Sequence, residues 1–272
     1  MHKYKLVAFD LDETLLRPDS SLSEYAVDVL RAIDKSGVKV VPCTGRPHAG
    51  TLSHLRRIGL DTPGVFCNGA QLRTSLSGKI MDECPLPLDD ARAVIRIGLE
   101  MEGHPRVYMD DRVYVSHITE EDKGYAKRTG SVMEAVGDLF AFLSKTPNKA
   151  PLKIINLMPN AESIPAIFEK SSRFFKEKVY VTQSLPTFIE YMHTGATKGK
   201  GLKKLADRWG FSKEEILVAG DHFNDLTMFA EAGFSIAPQN AQAPVREAAS
   251  CVCLGNAEDG VVKKLAEIFE VS

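Results

Sequence analysis

The five cysteines, Cys43, Cys67, Cys84, Cys251 and Cys253, include no C-x-x-C pair. Zinc spacing is therefore absent. An odd count of thiols fits buried free cysteines in a reducing compartment better than a disulfide framework. The seven histidines show no metal-binding spacing either. No apolar run approaches the length of a membrane span. The start of the chain, Met1-His2-Lys3-Tyr4-Lys5 and then an apolar run broken at Asp10 and Asp12, is too short and too acidic for a signal peptide. Excess charge is also missing. The 34 basic and 36 acidic side chains leave a net charge of -2, so no basic field exists to draw nucleic acid non-specifically. These absences lead to the expectation of a cytoplasmic protein with neither a membrane nor a nucleic acid as partner; they leave its oligomeric state open.

What is present is a globular composition, 44% hydrophobic and 26% charged, in 272 residues, enough for two modest cores. Leu6-Val7-Ala8-Phe9 is a short apolar run that stops at Asp10, as a buried strand of a parallel sheet does. Ala26, Val27, Leu30 and Ile33 recur at helical spacing between a Ser23 N-cap and Gly37. A second strand over Val38 to Cys43 ends at Thr44-Gly45-Arg46. A helix is predicted from about Pro47 to Ile58, and a third strand over Val65 to Cys67 ends at Asn68-Gly69. This alternation argues for a parallel sheet covered on both faces.

After about Met81 the rhythm changes. Pro85 and Pro87 mark a linker, and a helix is predicted from Asp89 to Glu102. Two strands, Arg106 to Met109 and Val113 to Ser116, flank the turn-like Asp110-Asp111. A less regular helical stretch runs from Glu120 to Leu143. A strand, a helix from Glu162 to Phe175 and two further strands follow, giving an antiparallel sheet with helices on one face. The first rhythm returns at Lys198, with a helix to Trp209, a strand over Ile216 to Ala219, a helix from about Asn224 to Ala232 and a terminal helix from Gly260 to Phe269. The chain thus reads as an α/β core, residues 1–83 plus 190–272, interrupted by an α+β insertion over 84–189. Leu185-Pro186 is expected to act with Pro85 and Pro87 as a hinge.

Ligands of open parallel sheets bind at the carboxyl ends of the strands. Four such places carry unusual residues: Asp10-Leu11-Asp12-Glu13-Thr14, Thr44-Gly45-Arg46, Lys198-Gly199, and Gly220-Asp221-His222-Phe223-Asn224-Asp225. Asp10, Asp12, Asp221 and Asp225 would repel one another in one crevice unless a cation joined them, and an oxygen-rich set with room for water and phosphate favours Mg²⁺. Thr44, Lys198 and the N–H groups of a helix start suit a phosphate. The glycines around Lys198 do not have P-loop spacing.

Taken in order, Asp10-x-Asp12-x-Thr14, Thr44, Lys198 and Gly220-Asp221-x-x-Asn224-Asp225 resemble the four signatures of the haloacid dehalogenase superfamily of phosphotransferases. The long insertion resembles its type IIB cap. Asn68-Gly69-Ala70 and Lys198-Gly199 look like its Cof-type branch. The resemblance implies a Rossmann-like core with an inserted cap that carries substrate specificity. It also implies a Mg²⁺-dependent phosphatase of small phosphorylated metabolites, such as sugar phosphates or phosphorylated cofactors. Asp10 would be the nucleophile that forms an aspartyl-phosphate, and Asp12 the general acid and base. Asp10, the carbonyl of Asp12, Asp221 and Asp225 would surround the metal. Leu11, Thr44, Gly45, Lys198 and Asn224 would hold phosphoryl oxygens. Glu13 departs from the glycine that many Cof-type proteins carry there. A phosphosugar mutase and a phosphate-responsive sensor are the competing readings. In the cap, Asp110, Asp111, Arg112, His117, Arg128 and Glu190 are polar candidates for reading the leaving group, while His222 is expected to be a solvent-exposed loop residue.

Overall fold

The structure, a computed structural model, describes residues 2–271. It divides into two compact units. The first holds residues 2–45, 52–82 and 198–271, and the second holds 46–51 and 83–197.

The first unit is built on a five-stranded parallel sheet in the order Cys251–Cys253, Phe234–Pro238, Ile216–Ala219, Leu6–Phe9, Lys39–Pro42. Period-two alternation divides each strand between two cores. Val7, Phe9, Val40, Leu217 and Ile236 meet the apolar stripes of helices Glu24–Lys35 and Gly260–Phe269. Leu6, Ala8, Val41 and Val218 face Leu202, Leu205 and Ala206 of helix Lys198–Trp209. Both faces are thus covered, as an all-parallel sheet requires. The Ser23 hydroxyl accepts from the Ala26 N–H at 3.0 Å, the N-cap that the sequence indicates. The strand Pro63–Phe66 joins this sheet only through a parallel bridge between Cys43 and Val65, and opens a separate sheet with Gln71–Thr74 and Ile80–Glu83. The single helix expected from Pro47 is broken into a 3-10 turn, His48–Thr51, and a helix, Leu52–Ile58. The Arg46 guanidinium, through Nη1, donates to the carbonyls of Gly50 and Thr129. These bonds fix residues 46–51 in the second unit.

The second unit is a six-stranded sheet in the order Val179–Leu185, Phe188–His193, Lys153–Leu157, His104–Met109, Arg112–Val115, Val132–Ala135. Helices Leu88–Glu100, Leu139–Lys145 and Ile164–Phe175 line one face. Three expectations need correction. The stretch from Glu120 to Leu143 is not one helix. Gly130, at φ 68°, ends helix Glu120–Thr129; the strand Val132–Ala135 follows; and Asp138 caps the next helix by accepting from the N–H groups of Phe140 and Ala141. The sheet is mixed, because Arg112–Val115 pairs in parallel with Val132–Ala135, and helix Glu120–Thr129 lies on its other face through Tyr125. Leu185-Pro186 is a hairpin turn between paired strands, not a linker. The return connection is residues 194–197, where Cys84 Sγ and the Gly195 N–H both reach His193 Nδ1, at 3.0 and 2.9 Å.

Asp122 anchors helix Glu120–Thr129. Its carboxylate accepts from His104, from the N–H and hydroxyl of Thr119, and from Arg106, all within 2.7–2.9 Å. Burial opposes its charge. The bonds from His104 and Thr119 and the Arg106 charge outweigh burial, and hold the carboxyl well below its ordinary range. Because the folded pKa is depressed, this stabilisation is complete above the unfolded carboxyl pKa of about 3.9 and is lost as the pH falls below it. Asp122→Asn should lower unfolding free energy by about 3–5 kcal/mol at neutral pH. The gap from wild type, followed by urea denaturation, should narrow at pH 3. In the first unit, a Cβ on Gly260 would lie 1.8 Å from the Leu254 carbonyl oxygen. Gly260→Ala should therefore cost at least about 1–3 kcal/mol in the same assay.

Candidate active site

Leu6–Phe9, Lys39–Pro42 and Ile216–Ala219 are parallel neighbours, so the segments after them emerge side by side. The Asp10 N–H donates to the Ala219 carbonyl at 3.0 Å and the Cys43 N–H to the Phe9 carbonyl at 2.8 Å. These two bonds carry the ladder one residue past the sheet and set Asp10 beside the start of the Thr44 loop. After Asp10 the chain winds into a turn over Leu11–Leu15, closed by the Leu16 N–H on the Leu11 carbonyl. Glu13 sits in this turn at φ 57°, the left-handed region where glycine is easiest.

Lys198, the first residue of its helix, has no exposed surface. Its Nζ lies 2.9 Å from Asp10 Oδ1 and 2.6 Å from Asp225 Oδ1. Burial works against the ammonium, but the two carboxylates hold it protonated and raise its pKa. Asp225 is fully committed. Its second oxygen accepts from the N–H groups of Asp221 and His222 at 2.9 and 3.0 Å. Gly220 makes this possible, since a Cβ there would fall 2.4 Å from the Asp225 Cβ.

Asp10, Asp221 and Asp225 are all buried, and each offers an oxygen within 4.8 Å of the others. Burial drives the Asp10 carboxyl well up. Lys198 opposes that shift, and Asp225, Asp221 and Asp12 add to it. Asp221 is raised by burial as well, against the hydrogen bond from His222. Asp10 Oδ1 makes no hydrogen bond among the described residues, although it lies close to Lys198. Three buried carboxylates with one ammonium carry unbalanced negative charge. A hard, all-carboxylate donor set with this charge fits a divalent cation of the Mg²⁺ type.

Two other residues enter the site. The Thr14 hydroxyl donates to Asp221 Oδ1 at 2.6 Å. His222 is not a solvent-exposed loop residue, because its Nδ1 is paired with Asp221 Oδ2. Burial opposes the imidazolium, but the Asp221 carboxylate pushes its pKa up to about 9. The signal for Thr14 was in the D-x-D-x-T spacing. His222 offered no signal beyond adjacency to Asp221.

Of the residues expected to bind phosphate, Leu11 and Thr44 are buried at the strand ends, and Gly45 lies against Asn68. Asn224 gives one of the two N–H groups of its amide to Asn68 Oδ1 at 3.0 Å. Asn68 reaches it from two successive left-handed residues, Cys67 at φ 49° and Asn68 at φ 55°. Asp12 is half-buried and its carboxylate stands outside the Asp10–Asp221–Asp225 set. Among the cap candidates, Asp110 pairs with Lys149, Arg112 with Glu134, and Arg128 stacks on Tyr125. His117 packs edge-on against His104, and Glu190 is buried in an ion pair with Lys153 at 2.8 Å. Asp111 occupies the turn at φ 59°.

Comparison with known proteins follows the same lines. A profile of the haloacid dehalogenase-like hydrolases matches residues 7–265, and the chain belongs to that family. The chain is 29% identical to the 5-amino-6-(5-phospho-D-ribitylamino)uracil phosphatase YitU of Bacillus subtilis, with 98% of each chain covered. It is 26% identical to the pyridoxal phosphate phosphatase YbhA of Escherichia coli, over 95% of this chain and 96% of that one. Among solved structures, TM0651 from Thermotoga maritima superposes with a TM-score of 0.81 at 31% identity, covering 97% of both chains.

Removing the one ammonium from this cluster should be severe. Lys198→Met leaves Asp10 and Asp225 buried without their counter-charge. In EDTA it should lower the unfolding free energy by about 3–5 kcal/mol, read by chemical denaturation.

Proposed function

We propose that this haloacid dehalogenase-like hydrolase is a phosphatase of small phosphorylated metabolites that uses Asp10 as nucleophile and Mg²⁺ as cofactor. The observation that carries the reading is the buried Asp10–Lys198–Asp225 arrangement with Asp221 beside it at the carboxyl ends of the parallel strands. The curated relatives act on a phosphorylated ribitylaminouracil and on pyridoxal phosphate, and this supports a phosphorylated cofactor or cofactor precursor as the substrate class.

The chemistry follows from the side chains. An Asp10 carboxylate oxygen attacks phosphorus in line, the bond from phosphorus to the ester oxygen breaks, and an aspartyl-phosphate forms. Asp12, held on the turn beyond Asp10, gives its proton to the departing ester oxygen. In the second half it takes a proton from the water that attacks phosphorus and releases Asp10. Lys198 stays protonated between Asp10 and Asp225, so its charge faces the nucleophile throughout. The N–H groups of Leu11 and Gly45 and the Thr44 hydroxyl provide donors for phosphoryl oxygens. Asp225, tied to two N–H groups and Lys198, orients the loop that presents Asp221. Asp10, Asp221 and the Asp12 carbonyl would hold the cation, with Asp225 adjoining; when bound, its charge keeps the carboxylates ionised and screens the anionic phosphate from the anionic nucleophile. The second unit, residues 46–51 and 83–197, is assigned the discrimination of leaving groups.

With p-nitrophenyl phosphate and Mg²⁺, Asp10→Asn should abolish turnover. Asp12→Asn should slow it by about 10²–10⁴-fold while leaving cation binding in place. Excess EDTA should silence the wild type, and added Mg²⁺ should restore it. Undiminished turnover in Asp10→Asn sinks the proposal. A phosphorylated Asp10 that accumulates without hydrolysis points to the sensor reading, and dependence on an added bisphosphate points to the mutase.

A further inference from the structure

On the second unit's sheet, strand alternation puts His104, Arg106 and Tyr108 on the face opposite the three helices. Neighbouring registers extend the Arg106 position into a row across four strands, Arg106–Ile155–Glu190–Thr182. Arg106 is fully buried, and Lys153 and Glu190 are nearly so. Lys153 and Glu190 satisfy each other in an ion pair. Arg106 does not reach the same balance.

Only one edge of the Arg106 guanidinium is used. Nε donates to Asp122 Oδ1 at 2.7 Å. Nη1 and Nη2 are buried and have no hydrogen-bond partner among the described residues. The other oxygen of Asp122 already accepts from His104 Nε2 and from the N–H and hydroxyl of Thr119. That carboxylate therefore cannot swing round to cover the free end. The guanidinium carbon lies 4.8 Å from the Tyr125 ring centroid and 5.1 Å from that of Phe188, so the flat faces of the group are occupied by aromatic surface. Tyr125 is held in turn by the Tyr108 hydroxyl, 2.9 Å from its own. The result is a guanidinium held at Nε and against two aromatic rings, with its two terminal nitrogens buried and unbonded. Structural arginines in cores have their donors satisfied, and donors left open in a fixed fork match the two oxygens of one carboxylate or phosphate group.

We propose that the Nη1/Nη2 edge of Arg106 is a binding site for an oxyanion, a carboxylate or phosphate group of a small molecule, received in two parallel hydrogen bonds. Asp122 and Tyr125 are its positioning residues, and helix Glu120–Thr129, which carries both, must shift to admit the ligand. The site is built entirely from residues of the second unit, and its existence does not depend on the phosphatase reading.

The test uses the whole chain in EDTA at constant ionic strength, where the metal-free carboxylates around Asp10 repel anions. Sodium sulfate and sodium malonate are titrated separately into protein labelled with ¹⁵N-arginine. The Arg106 Nε–Hε resonance is identified by its loss in Arg106→Lys. A saturable shift of that resonance is expected, and the tighter of the two arms tells whether a tetrahedral or a carboxylate group is preferred. In calorimetry with the tighter anion, Arg106→Lys should bind at least tenfold more weakly. Absence of saturation in both arms, or equal affinity in Arg106→Lys, overturns the proposal. If that variant does not fold, a second arginine-to-lysine series away from this face assigns the resonance by elimination, and the wild-type titration decides alone. No turnover is read, so failure here is distinct from failure of the proposed phosphatase chemistry.

Discussion

One buried ammonium holds the site together. Lys198 sits between two carboxylates that come from opposite ends of the chain, Asp10 after the first strand and Asp225 at the start of a helix near residue 225. Charges this deep are tolerable only when each has its counter-charge and its remaining lone pairs are bonded. The local architecture meets those terms one by one. Gly220 has no side chain, so Asp225 can close on the N–H groups of Asp221 and His222. Gly199, the residue after Lys198, is pressed so closely to the Thr227 carbonyl that a Cβ would lie 2.0 Å from it. The helix that carries Lys198 and the loop that carries Asp225 are thus packed backbone to backbone. Against the three carboxylates Asp10, Asp221 and Asp225 stand only Lys198 and, beside Asp221, His222, and the negative charge that remains is the feature that asks for a cation.

Much of this was legible in the sequence because it is written in short-range patterns. The apolar run Leu6–Phe9 ending at Asp10 announces both a buried strand and the point where its ligand-facing end begins. The stripe of Ala26, Val27, Leu30 and Ile33 behind a serine cap reads directly as helix Glu24–Lys35. The α/β class of the core, and the meeting of Asp10, Lys198, Asp221 and Asp225, follow from strand order together with the rule that parallel sheets present their carboxyl ends to ligands.

What escaped the sequence depends on long-range or three-dimensional facts. The strand Val132–Ala135 is short and mostly exposed, with no alternating apolar signal, and its identity comes from pairing with Arg112–Val115. His222 looks like any loop histidine until Asp221 is seen folding onto it. The bond from the Asn224 amide to Asn68 could not be read either, since Asn68 lies 156 positions away and takes an uncommon backbone conformation to meet it. The buried pairing of Lys153 with Glu190 was equally invisible, since each lies in a strand whose register alone makes them neighbours across the sheet.

The assignment of residues 46–51 to the second unit changes the mechanics of the molecule. An ordinary insertion is tethered by two peptide connections and can pivot about the line between them. Here the backbone passes between the units at four joints, and the first of these directly follows Gly45, next to Thr44. Arg46 bonds that segment to the Thr129 carbonyl, so the residues directly following the Thr44 loop are held by the second unit. The loop that carries Thr44 is thus anchored on one side by the strand Lys39–Pro42 and continues on the other into a segment that belongs to the second unit.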